Sequence, residues 1–241
     1  MNEVQTIPVL DARLGSWHVS VRRDPLSAHE VRRRYDRVAG GWQRTLTRLG
    51  VPSAYEKLVG ELLGDGSLAR GEGPARVLDA GVGTGAMSIA LAQATAAPLS
   101  LHALDLSPHM LRRAGTTLRE AGLEPVLHQG DVRSLPYDDG VFDIVLAAHV
   151  LEHLTDPMPA LREMVRVLRP GGRLLVCVTR RSGPGLWVQL RWRTHAVEPG
   201  TVDGWLSGVG LGDRNRTSLR YRASSSEASV AYIGTKPHAA A

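Results

Sequence analysis

The chain has 241 residues, of which 43% are hydrophobic, 22% charged and 5% aromatic, a length that suits one α/β domain with decorations and is short for two full domains. That hydrophobic content can bury a sizeable core and excludes a disordered chain, and the sequence offers neither a run of roughly 18 apolar residues for a membrane-spanning helix nor a basic-then-apolar leader. The net charge of +5 is uneven, with +2 over residues 1–73, −2 over 74–179 and +5 over 180–241, a mild pull toward an anionic surface partner.

In chain order, Val31, Tyr35, Val38, Trp42, Leu46 and Leu49 recur at intervals of three and four and predict one apolar helical face, bent or broken at Gly40-Gly41. The opposite face carries Arg32, Arg33, Arg34, Arg37, Arg44 and Arg48, either a solvated face or one that lies on an anionic membrane. Arg76 to Asp79 begins a short apolar strand, followed by a turn containing Gly81, Gly83 and Gly85 and a helix from Ala86 to Ala94. The order recurs: a strand over 99–106, then a helix from Pro108 to Ala121 with Ser107 as N-cap. A third strand is expected over 125–132, ending at Asp131, and a fourth over 142–148, followed by a helix through Leu161 to Leu168. Pro170-Gly171-Gly172 is expected to end that helix before a fifth strand over 173–179. This strand holds Cys177, whose solitary state excludes an internal disulfide framework and a multi-cysteine zinc site; no metal is expected. The chain should close with a hairpin over 216–221 and 228–234 and a frayed tail. Strands alternating with helices at this spacing predict a doubly wound, mostly parallel sheet.

The glycine turn admits two ligands. Gly81-x-Gly83-x-x-Ala86, with Asp105 twenty residues beyond Gly85, satisfies the dinucleotide fingerprint. Two features oppose a dehydrogenase: Asp79 puts a carboxylate where a pyrophosphate would be repelled, and no room remains for a separate substrate domain. A cofactor with an ammonium group and no phosphate fits better.

Four stretches resemble the class I S-adenosylmethionine-dependent methyltransferases in order and spacing across about residues 75–179: VLDAGVGTG, LHALDLSPHML, HQGDVRSLPYDDGVFDIV and HVLEHLTDPMPALREMVRVLRPGGRLLV. The last is similar to the ubiquinone/menaquinone-type small-molecule branch. The resemblance implies a seven-stranded Rossmann-like sheet with a C-terminal antiparallel hairpin and an N-terminal helical cap. It also implies a division into a cap over 1–73 and a cofactor-binding domain over 74–241 with a covering segment about 183–210. S-adenosylmethionine is the implied cofactor. Gly81, Val82, Gly83 and Gly85 would let backbone approach its methionine moiety, and Asp79 would hold the turn and the ammonium end. Asp105 would accept both ribose hydroxyls, Leu106 and Met110 would sandwich the adenine, and Asp131 with the Val132 amide would read its edge. Ala147 completes the implied cofactor wall, and Tyr35 would lean over it from the cap.

A methyl sulfonium is already activated, so alignment and exclusion of water matter most, and a base is needed only when the acceptor must lose a proton. At the end of the fourth strand His149 replaces the Asn/Asp-Pro-Pro-aromatic signature of the amino-methylating nucleic-acid enzymes. It stands as candidate base or pocket residue, with His153 as a second pocket residue or a brace for the following turn. All five tryptophans, Trp17, Trp42, Trp187, Trp192 and Trp205, lie outside 74–179. Trp187 and Trp192 are the candidate acceptor contacts, which points to a bulky, apolar small molecule. A membrane-associated lipid or quinone methyltransferase and a non-catalytic cofactor-binding module are the alternatives. No nucleic-acid partner is expected; a cytoplasmic protein, or one peripheral at a membrane, is.

Overall fold

The computed structural model describes residues 7–24, 26–27, 29–34, 36, 47–48, 50–64, 73–180, 197, 199–220 and 227–238. The chain starts with a two-stranded hairpin, β1 (Ile7–Leu14) and β2 (Trp17–Arg23), joined by Gly15-Ser16. Residues 29–34 are helical, and α1 (Val51–Leu63) follows, with Pro52 in its first turn and Val51, Tyr55, Leu58, Val59 and Leu62 on its buried face. These helices supply the helical part of the N-terminal region; the hairpin ahead of them was not anticipated from the sequence.

The main sheet has seven strands: β3 (Ala75–Ala80), β4 (Leu99–Asp105), β5 (Val126–Gln129), β6 (Phe142–Ala148), β7 (Leu168–Thr179), β8 (Gly212–Arg220) and β9 (Glu227–Thr235). Their spatial order is β5-β4-β3-β6-β7-β9-β8, with β5 to β7 parallel and β9 antiparallel to both its neighbours. The helices α2 (Ala86–Ala94), α3 (Pro108–Glu120), α4 (Met158–Val167) and α5 (Pro199–Gly208) complete the layers. Alternation along the central strands explains the two cores. Val77, Ile144, Leu146, Leu175 and Cys177 face α1, α2 and α3, whereas Leu78, Val145, Ala147, Leu174 and Val176 face α4 and α5.

Besides β8, which begins at Gly212 and not at residue 216, two boundaries differ from the expected ones for a visible reason. The third strand of the doubly wound block stops at Gln129, not Asp131: Gly130 N–H makes the last rung of the ladder, to Asp105 O at 3.1 Å, and Asp131 accepts the Arg133 N–H at 2.9 Å in a local turn. The helix before β7 ends at Val167, so Pro170-Gly171-Gly172 does not cap it but lies inside β7. There Gly171, at φ 74°, donates to Lys236 O at 2.8 Å and Gly172 O accepts from Lys236 N at 2.9 Å. The three residues are absorbed as an irregularity in the β6–β7 register.

On the α4 side, His102 and His128 stack with ring centroids 6.1 Å apart, and Tyr137 meets both edge-on at 5.5 and 5.3 Å. The Tyr137 hydroxyl and His102 Nδ1 are buried there without a hydrogen-bond partner.

Candidate active site

The C-terminal ends of β3, β4, β5 and β6 surround a cavity of about 220 Å³, the place where open parallel sheets bind ligands. Its floor is the turn after β3. Gly81 takes φ 94° and Gly83 φ 55°, conformations that disfavour any side chain. At Gly81 a Cβ would lie 2.3 Å from Val150 Cγ2, whereas around Gly83 there is open space. Leu104 O accepts from the amides of Gly81 and Val82 at 2.7 and 3.0 Å, which ties the turn to β4.

Two carboxylates stand on this floor. Asp79 is 1% exposed and accepts a 2.5 Å hydrogen bond from the Ser88 hydroxyl. Burial pushes its carboxyl up to about 7, opposed by Ser88 and assisted by the charge of Asp105. Asp105 accepts from Gly83 N–H at 2.9 Å and Ser107 N–H at 2.8 Å, one on each oxygen, so its carboxylate is fixed in direction and keeps a lone pair on each oxygen. Burial raises it to about 6 despite those bonds. A third acid, Asp36, accepts from the Ser107 hydroxyl, and Arg32, on the cavity wall, sits 3.9 Å from Asp36. Buried acids held above their ordinary range mark a site that gains from a cation.

Other expected residues sort by position. Val82, Leu106, Asp131, Val132, His149 and His153 line the cavity with Asp79, Gly81, Gly83 and Asp105. Gly85, Met110 and Ala147 do not. Gly85 caps α2 at φ 87°, where a Cβ would press on Leu118; Met110 is 1% exposed within α3; Ala147 points into the α4-side core while Ala148 faces the cavity. Asp131 differs in its bonding: Arg133 takes both its oxygens, Nε at 3.0 and 3.1 Å and Nη2 at 2.6 Å, and holds the carboxyl below its ordinary range. Tyr35, Trp42, Trp187 and Trp192 lie outside the described residues, Trp17 is exposed and Trp205 packs on the α4-side core.

At the opposite wall His149 follows β6 at φ 58°, unusual for a residue with a side chain, and its N–H extends the β6–β7 ladder to Cys177 O at 2.7 Å. Its Nδ1 is 3.1 Å from Thr179 Oγ1 and 3.5 Å from Glu152 Oε2, and its Nε2 is 3.6 Å from Cys177 Sγ. Glu152, 2% exposed, accepts from Thr179 N–H at 2.6 Å and from the Thr179 hydroxyl at 2.7 Å. Although burial raises it, the facing charges of His149 and His153 prevail and leave its carboxyl below the ordinary range. Because the Thr179 hydroxyl proton is committed to Glu152, Nδ1 of His149 must be the donor in the 3.1 Å contact, so the neutral ring carries its lone pair on Nε2, the nitrogen that faces Cys177 Sγ.

Sequence reasoning missed Glu152, Thr179, Tyr55 and Arg133. The i, i+3 spacing of His149 and Glu152 was a readable signal; Thr179 comes from another strand, and Tyr55 from an unread helix.

A methyltransferase-domain family model matches residues 78–176, the block that builds this site. A demethylmenaquinone methyltransferase of Mycolicibacterium gilvum is 36% identical over 170 residues, which cover 70% of this chain and 67% of that one. The chain belongs to the class I S-adenosylmethionine-dependent methyltransferases. A ubiquinone/menaquinone biosynthesis C-methyltransferase of Idiomarina loihiensis is 36% identical over 103 residues, 42% of this methyltransferase-family chain and 41% of that protein, so the alignment spans less than half of that relative. A solved S-adenosylmethionine-dependent methyltransferase of Thermotoga maritima, described as a possible histamine N-methyltransferase, shares the fold with a TM-score of 0.65 at 21% identity, over 86% of this chain and 99% of that one.

The residues present fit the family's cofactor. The acids Asp79 and Asp105 suit its cationic and hydroxyl groups, the space over Gly83 suits close backbone approach, and Thr84 Oγ1 is buried beside the cavity without a partner. The other reading of the glycine turn fails on the same geometry. Tyr232 and Lys236 do reproduce the Tyr-x-x-x-Lys spacing of short-chain dehydrogenases, but neither lines the cavity, and Lys236 Nζ is bonded to the carbonyls of Leu168 and Val165 at 2.7 and 2.8 Å.

Proposed function

We propose that this chain transfers a methyl group from S-adenosylmethionine to an O, N or C nucleophile of a small molecule with a bulky apolar body, leaving S-adenosylhomocysteine. One observation carries the reading: a single cavity joins the acidic floor of Asp79 and Asp105 to the His149 wall, with Leu26, Val31, Tyr55, Val150 and Leu154 as apolar surface between them. The names of the relatives, which act in ubiquinone and menaquinone biosynthesis, support an acceptor of quinol type.

The bound cofactor supplies a methyl group on a positively charged sulfur. Everything else falls to the chain. Asp79 would hold the ammonium end and Asp105 the ribose. The rigid turn at Gly81–Gly83 would set the direction from which an acceptor can approach, which is where orientation contributes most. Apolar residues exclude water from the acceptor's path. His149, with Nδ1 committed to Thr179, would take a proton at Nε2 from a hydroxyl acceptor, and Glu152 would stabilise the imidazolium formed. Incubating the protein and S-adenosylmethionine with quinols, phenols and metabolite extracts, then searching by mass for products heavier by one methylene unit, tests the reading. Absence of both methylated product and S-adenosylhomocysteine, in a protein that binds the cofactor, would favour the non-catalytic module.

A further inference from the structure

Among the described residues, apolar exposure is concentrated at one tip. Their exposed large hydrophobics are Trp17 at 76%, Leu14 at 65%, Val126 at 46% and Val19 at 36%, and three of these four belong to the β1–β2 hairpin. The register puts Leu14 opposite Trp17 and Ala12 opposite Val19. Directly paired residues share a face, and alternate pairs share the same one. Leu14, Trp17, Ala12 and Val19 therefore form a continuous apolar face beside the Gly15-Ser16 turn. The intervening pair, Arg13 and His18, lies on the opposite face, and both residues are exposed. In sequence, residues 7–23 hold Arg13, Arg22 and Arg23 against the single acid Asp11.

We propose that this hairpin docks the protein on an anionic lipid bilayer, with Trp17 and Leu14 entering the interfacial zone. The charge argues for that occupant. A tryptophan–leucine tip beside Arg13, on a hairpin whose sequence holds three arginines to one acid, matches a surface with an apolar interior and negative headgroups, where amphipathic tryptophan settles and basic groups gain from the surface potential. A second copy of the chain would bring together two molecules that each carry a net +5. No helix among the described residues is long and apolar enough to cross a membrane, so the contact is peripheral. Leu26, on the cavity wall, is three residues beyond the end of β2, so one strand about 20 Å long links the docking tip to the cavity's edge. The inference stands on the hairpin alone and survives if the acceptor proves not to be lipid-soluble.

Co-sedimentation with vesicles tests it, comparing phosphatidylcholine alone with phosphatidylcholine containing about one-third phosphatidylserine. The full chain should pellet with the anionic vesicles at low salt and less at high salt. Leu14→Asp/Trp17→Asp should lower the partition constant at least ~10-fold, and Trp17→Ala should lower it by less. Cofactor affinity, measured on each variant, should be unchanged, because neither residue lines the cavity. Failure of the full chain to pellet with anionic vesicles at low salt overturns the proposal, as does equal pelleting of the double variant. A dimer that the double variant converts to monomer, with no vesicle binding, would assign the face to a second copy instead.

Discussion

Cofactor affinity should rise with pH across the slightly acidic range, because the acids on the floor of the site keep their protons well above the ordinary carboxylate range. Asp79 sits near 7 and Asp105 near 6, against an ordinary value of 3.8. If binding needs the Asp79 carboxylate, the apparent constant is reduced by the factor 1 + 10^(7−pH), about 30-fold at pH 5.5 and only about 1.3-fold at pH 7.5. Asp105 adds roughly another 4-fold at pH 5.5, for a combined change on the order of 10² between the two pH values. Keeping below pH ~7.5 avoids titrating the ligand's own amino group. The assay is calorimetric titration with S-adenosylhomocysteine, which retains the ammonium, in two buffers of different ionisation enthalpy; proton release near pH 6.5 should accompany binding. Asp79→Asn should abolish the steeper part of the profile. Ser88→Ala, which removes the bond opposing the shift, should move its midpoint to higher pH. The sign for folding without ligand is the reverse. Both groups have raised folded values, so the folded state binds the extra protons; their contribution to stability is fully present below about pH 3.8 and is lost as pH rises through 6 and 7, by about 4 kcal/mol for Asp79. Affinity that is flat, or that increases as pH falls, would refute the reasoning.

Asp105→Ala should weaken cofactor binding by about 1.5–3 kcal/mol, read by the same calorimetry, and should also lower thermal stability, since Gly83 and Ser107 lose their acceptor. His149→Ala should reduce turnover about 10²-fold at nearly constant cofactor affinity, and near-native turnover would leave alignment alone as the mechanism. Glu152→Ala, which leaves Thr179 N–H and the imidazole without their partner, should cost about 3–5 kcal/mol in denaturant unfolding, against a much smaller loss for Glu152→Gln. Gly81→Ala forces a Cβ to 2.3 Å from Val150 at φ 94° and should impair both folding and binding; Gly81→Ala/Val150→Ala should recover part of the loss, and no recovery would place the strain wholly in the backbone.

The sheet was legible because its signals are local and repeated: an apolar run, a glycine turn, a helix with Ser107 as its cap, whose Oγ does accept the Met110 N–H at 3.0 Å. Where the reading strayed, a long-range bond had decided the matter. Asp131 lies beyond its strand because the ladder to β4 makes its last rung between Gly130 N–H and Asp105 O, and Pro170-Gly171-Gly172 joins β7 because Lys236, sixty-odd residues on, supplies its partners. The hairpin was missed although Leu10, Ala12 and Leu14 alternate up to a Gly-Ser pair, a signal that could have been read. In the site, the floor followed from the glycines and aspartates, but the His149–Glu152–Thr179 link needed β6 and β7 side by side. Sequence spacing also cannot tell which of two neighbours faces a cavity, and so Ala147 was expected where Ala148 stands.

The hydrogen bond from His149 N–H to Cys177 O has a consequence for how this protein can change. It makes the His149 backbone the last rung of the β6–β7 ladder, so the place from which the ring projects is inherited from strand pairing. Leu26 and Val31, which bound the cavity from outside the sheet, take no part in strand pairing. Substitutions there can reshape what is admitted while the ring, the glycine floor and Asp105 keep their places. Acceptor range and transfer geometry are therefore separately adjustable, and a new substrate can be reached without rebuilding the chemistry.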